Sequence, residues 1–165
     1  MVSRERLLKI ARSVRRALEK EATQFEQYKD RTGRDRFGNS YAWCSYGQCD
    51  LSSQVLEQVL LDEGIKDVVY IMGLVATEEP NPSETDLDEE TKEELGIPLD
   101  MFAAYHYWLE IGHDKSNYED RRPPNIWVVD ITADQFNDLI EGKKFPQVIV
   151  AKYRDLPRHF RTGPA

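Results

Sequence analysis

The sequence predicts an α+β fold in which a helix that starts at a cysteine packs on an antiparallel β-sheet, with an amphipathic helix at the N-terminus. Three observations lead there. Apolar residues recur at steps of three and four in residues 3–28 and again in 50–63. Four later segments are rich in β-branched and aromatic residues. Helical and strand patterns are segregated along the chain rather than alternating, which favours α+β over a βαβ arrangement.

The first helix is expected from about Ser3 to Tyr28, within an N-terminal unit of residues 1–29. Leu7, Ile10, Ala11, Val14, Ala17 and Leu18 form one apolar stripe, with Arg and Lys on the other faces. Residues 30–47 contain Gly33, Gly38 and Asn39 and read as an irregular loop. From Asp50 to Glu63 the helical spacing returns in Leu51, Val55, Leu56, Val59 and Leu60, and Gly64 stands where a C-terminal cap belongs. Cys49 therefore falls in the first turn of this helix. DVVYIMGLVA (67–76) reads as a strand. Residues 77–100 are acidic and proline-bearing, and are expected to form a flexible surface insertion with one short helix near Glu89 to Leu95. Three more strands follow, in MFAAYHYWLEIG, in NIWVVDIT (125–132) and in FPQVIVAKY (145–153), the last two separated by a short helix or turn. The tail is either a frayed terminus or a strand extension.

A chain of 165 residues is the size of a single domain, long enough to bury roughly two-thirds of its unfolded surface. No apolar run approaches the ~20 residues needed to cross a bilayer, and the N-terminal segment lacks a signal-peptide core, so the expectation is a cytoplasmic protein with no membrane partner. The net charge of −8 argues against nucleic acid, whose phosphates are bound chiefly by clustered Lys and Arg. Charge is nonetheless uneven. Residues 1–20 carry seven basic and two acidic side chains, and residues 78–95 carry nine acidic ones against Lys92. Such an asymmetry belongs to a solvated helix face, to attraction between the two segments, or to a basic arm for an acidic partner. The two cysteines, Cys44 and Cys49, are too few for a disulfide framework, and a zinc site would need distant ligands. No cofactor is expected.

The chemistry concentrates on Cys49. Amide dipoles at a helix N-terminus stabilise a thiolate, and an N–H of the first turn is an orphan donor able to hold an oxyanion. A free cysteine is also commonly a small buried hydrophobe. Downstream, one strand holds His106 and the next ends in Asp130, so adjacent antiparallel strands can set a carboxylate against an imidazole and fix its tautomer. A carboxylate closing an apolar strand either has a partner, because burying it alone is expensive, or emerges into water.

Together GQCDLSSQVLEQVLLDEG (47–64), YHYWLEIG (105–112) and IWVVDITADQF (126–136) resemble the papain-like superfamily, especially its compact transglutaminase-like and bacterial hydrolase branches. The resemblance covers residues 45–150. It implies a papain-like core in which Cys49 is the nucleophile, His106 the general base and Asp130 the group that orients the base. The family's oxyanion donor, a Gln or Asn shortly before the nucleophile, corresponds to Gln48 or to Asn39, neither a close match in spacing. Gln135 is a candidate to brace the site, and Asp134 to cap the short helix. Cys44 lies in a loop with no helix dipole to help it; His113 falls in a turn and His159 in the tail. Trp108 and Trp127 are expected in the core or in the wall of the cleft. The implied function is acyl transfer on a protein or peptide substrate through a thioester, with hydrolysis, deamidation and transamidation all open. The alternative is a papain-like fold kept as a binding or regulatory module.

Overall fold

A computed structural model describes residues 2–26, 49–79, 87–112, 125–142, 144–156 and 160–161. Helix α1 runs Arg4–Glu26. Its start is held by Ser3, whose hydroxyl accepts from the Arg6 N–H at 3.2 Å. Leu7, Ile10, Ala11 and Val14 are buried, as the stripe predicts. Arg15 shares that face: it stands one turn beyond Ala11 and, contrary to the expectation that basic residues keep to the other faces, is only 4% exposed.

Helix α2, Cys49–Asp62, buries Leu56 and Leu60 against α1 and the sheet. Its buried face differs from the predicted stripe. Leu51 is exposed, while the small Ser52 and Ser53 face inward and let the helix approach its strand closely. Ser53 Oγ donates to the Tyr107 carbonyl at 3.1 Å. Gly64 ends the helix at φ +76°, with its N–H on the Leu61 carbonyl and the Ile65 N–H on the Leu60 carbonyl. That paired ending requires a left-handed residue, which glycine adopts without a Cβ penalty.

The strands are β1 (Val68–Thr77), β2 (Phe102–Ile111), β3 (Trp127–Asp130), β4 (Ile149–Lys152) and β5 (Phe160–Arg161). They form one sheet in the order β4-β3-β2-β1-β5, with every neighbour antiparallel. The α+β class is therefore as expected. The tail takes the second of its two expected forms, since Phe160 pairs with Val75 of β1. Both faces of the sheet are covered. Leu109, Ile111, Val129 and Val150 meet α1 and α2 on one side, while Trp108, Val128, Phe136, Phe145 and Phe160 pack together in a second cluster.

Helix α3, Glu89–Glu94, forms within the acidic segment where a short helix is expected. Asp88 caps it, accepting from the Thr91 N–H at 2.8 Å. Residues 87–101 are nevertheless more than a surface insertion. Ile97 is 3% exposed and packs with Leu87, Leu95 and Met101 on Leu74, Ala76 and Ala103. A few apolar side chains thus anchor a segment whose composition reads as solvated. Residues 80–86 lie outside the described residues. No helix among the described residues is long and apolar enough to cross a membrane.

Candidate active site

The ladder between β2 and β3 covers only Leu109–Ile111 of β2 and ends at Val129 of β3. Carrying that register one step further sets Asp130 opposite Trp108, one pleat from His106 and on the same face. The carboxylate therefore reaches the imidazole diagonally. Asp130 Oδ2 lies 2.6 Å from His106 Nε2, with neither side chain exposed to solvent. The other oxygen, Oδ1, accepts from the Thr132 N–H at 2.8 Å and from the Thr132 hydroxyl at 3.2 Å. Asp130 does not emerge into water. Its acceptor sites are filled by three donors, which is how a buried carboxylate is tolerated.

The imidazole ring is walled by aromatic side chains. Phe136 meets it edge-on at 4.9 Å between centroids, Phe160 at 5.9 Å, and Trp108 lies tilted at 5.7 Å. On its Nδ1 side the Gln135 amide nitrogen lies 3.0 Å away. Cys49, the first residue of α2, is close enough to the same ring to favour its protonated form. Burial alone pushes the imidazole pKa down, but the charge and hydrogen bond of Asp130, and then the contact with Cys49, outweigh it and raise His106 to about 9. Asp130 and Cys49 thus favour the protonated ring against the effect of burial.

The residues expected to form the site meet as follows. Cys49, His106, Asp130 and Gln135 converge from α2, β2, β3 and the 3-10 turn Ala133–Phe136. Cys49 is also buried, 8% exposed, so it has both the position of a nucleophile and the burial of a small core residue. Asp134 does not cap the turn; no side chain does. Its carboxylate instead receives a two-pronged contact from Arg15, at 2.8 and 2.9 Å. Trp108 belongs to the core and donates its indole N–H to the buried Glu110 at 3.1 Å. Trp127 is half-buried with Lys152 over its ring, 3.7 Å from the centroid. Gln48, Asn39, Cys44, His113 and His159 lie outside the described residues.

Sequence reasoning missed two contributors. Phe160, assigned to a tail, closes one side of the imidazole pocket. Arg15 ties α1 to the turn beside Asp130, donating to the Ile131 carbonyl at 2.6 Å, to Asp134 at 2.8 Å and to Glu19 at 2.8 Å. Its place on the apolar stripe, three residues before Leu18, was the available signal: a cation spaced like core residues has a buried partner. The chain was compared with known protein families, curated proteins and solved structures, and none of them matches it.

Proposed function

We propose that the chain is a cysteine-dependent acyl-transfer enzyme of papain-like type, with Cys49 as nucleophile, His106 as general base and Asp130 as the group that orients the base. The observation that carries this reading is that one buried imidazole has Asp130 on Nε2 at 2.6 Å, with Cys49 at the start of α2 near enough to act on the ring's protonation. An imidazole so held cannot turn freely, and the nitrogen left for proton exchange with sulfur is Nδ1.

In the reaction the sulfur attacks an amide carbonyl carbon and a sulfur–carbon bond forms. The carbon–nitrogen bond then breaks, His106 delivers its proton to the departing nitrogen, and a thioester remains. Water, or a second amine, attacks the thioester carbon while His106 takes the proton, and the thiol is regenerated. First-turn amides of α2 are candidates to hold the oxyanion. Hydrolysis, deamidation and transamidation share these steps, and the substrate class favoured is a protein or peptide.

The test is the rate of alkylation of Cys49 by iodoacetamide as a function of pH, followed on the peptide that contains it. Expected is alkylation near neutral pH faster than that of an ordinary thiol, and slowed in His106→Ala. Ordinary thiol reactivity in both proteins overturns the enzyme reading and favours a papain-like fold used as a binding module.

A further inference from the structure

A primary amide nitrogen can only donate, so Gln135 Nε2 at 3.0 Å from His106 Nδ1 pairs with the tautomer in which Nδ1 accepts and the ring proton sits on Nε2. This is the neutral ring, the form that acts as base. The imidazolium has a proton on Nδ1 as well, which the amide can meet only by turning its oxygen inward or which passes to Cys49 instead. With Nε2 held by Asp130, proton exchange with Cys49 has to use the nitrogen that Gln135 meets.

The turn that carries Gln135 is held from outside the sheet. Arg15 of α1 places one guanidinium nitrogen 2.6 Å from the Ile131 carbonyl and 2.8 Å from Asp134 Oδ1, and the other 2.9 Å from Asp134 Oδ2. Asp134 is the residue before Gln135, and Ile131 follows Asp130. One planar fork thus spans the backbone between the carboxylate on Nε2 and the amide on Nδ1, the geometry for which arginine rather than lysine is suited.

We propose that Gln135 is a positioning residue that holds His106 Nδ1 in the neutral, base form when the sulfur is not available to it, and that the Arg15–Asp134 fork keeps Gln135 in place. This rests on the acyl-transfer reading above and deepens it. When Cys49 is acylated its sulfur no longer exchanges a proton with the ring. Gln135 then keeps the imidazole neutral and in plane until water arrives, and its N–H gives up Nδ1 as that nitrogen takes the proton of water. The charged and titratable groups facing the ring from the described elements are Asp130 of β3 and Cys49 of α2. Phe136, Phe160 and Trp108 supply its remaining walls, and Glu110 bonds to Trp108 rather than to the ring. Gln135 acts against both Asp130 and Cys49, since an N–H on Nδ1 favours loss of the ring proton and they favour its retention.

The experiment follows the His106 ring by NMR through a pH titration of the full chain, alongside iodoacetamide alkylation of Cys49 in the same proteins. Gln135→Met, which keeps length and loses the donor, is expected to raise the pH at which the ring loses its proton by about one unit, the size of one hydrogen bond to one protonation state. Gln135→Glu, an acceptor, moves it further in the same direction. Arg15→Met gives a smaller rise, and Arg15→Lys, which cannot form the fork, recovers only part of it. If Arg15→Met does not fold, Asp134→Asn tests the same contact. A ring titration unchanged in Gln135→Met overturns the role of Gln135. One unchanged in the folded fork variant overturns that of Arg15 and Asp134. If alkylation of Cys49 is ordinary and indifferent to His106→Ala, the enzyme reading fails, and the ring titration still reports whether Gln135 holds Nδ1.

Discussion

His106 Nε2 and Asp130 Oδ2 lie 2.6 Å apart with both side chains closed to solvent. The pair is a stability device as well as a candidate catalytic one. The folded-state pKa of His106, about 9, stands above the ordinary 6.5, so the folded protein binds this proton more tightly than the unfolded chain. The resulting stabilisation is complete below pH 6.5 and is lost as pH rises through 9. Urea unfolding at about pH 6 and again above about pH 9 should show a loss of about 3 kcal/mol from this group, absent in His106→Gln. A stability flat across that window in the parent would contradict the assignment.

Removing Asp130 strands the imidazole in an apolar setting and frees Thr132 from its acceptor. Asp130→Ala should cost about 3–5 kcal/mol, as losing one partner of a buried ion pair does. Chemical denaturation gives the stability. An NMR titration should find the His106 pKa displaced downward, because burial then acts without its main opponent.

Phe160 contacts the His106, Trp108 and Phe145 rings from a strand of two residues. Phe160→Ala should lower stability by about 3–5 kcal/mol. It should also increase solvent quenching of Trp108 fluorescence. Little change in either would mean that the tail is not bound where the sheet register sets it.

Gly64 ends α2 at φ +76° with open space where a Cβ would stand. Backbone strain alone therefore sets the effect of substitution. Gly64→Ala should cost about 1–2 kcal/mol and Gly64→Asn less, by thermal or chemical denaturation. Equal costs for the two would point to a steric cause instead.

Much of this arrangement is legible from residue order, and the reasons are local. The start of α2 at Cys49 and its glycine ending follow from apolar spacing and from the one residue type that tolerates the left-handed cap. The strands carrying His106 and Asp130 follow from β-branched and aromatic runs. What is not legible depends on long-range packing. Nothing adjacent to Leu51 marks it as exposed; it is the inward position of Ser52 and Ser53 against β2 that turns it out. The acidic composition of residues 87–101 hides four apolar side chains, Leu87, Leu95, Ile97 and Met101, that matter only once β1 and β2 offer a surface. Asp134 resembles a cap because the residue that claims it, Arg15, is distant in sequence.

The pairing of Val75 with Phe160 has a consequence for how the molecule comes into being. It closes a loop of about half the chain, and contacts of such separation form late because their ordering entropy must be met first. During synthesis the Cys49 helix emerges long before the strand that bears His106, and longer still before Phe160 covers the ring. The thiol is therefore made as an ordinary one. It acquires its acid–base partner only when the sheet is built, and the imidazole its dry surroundings only when the last strand has docked.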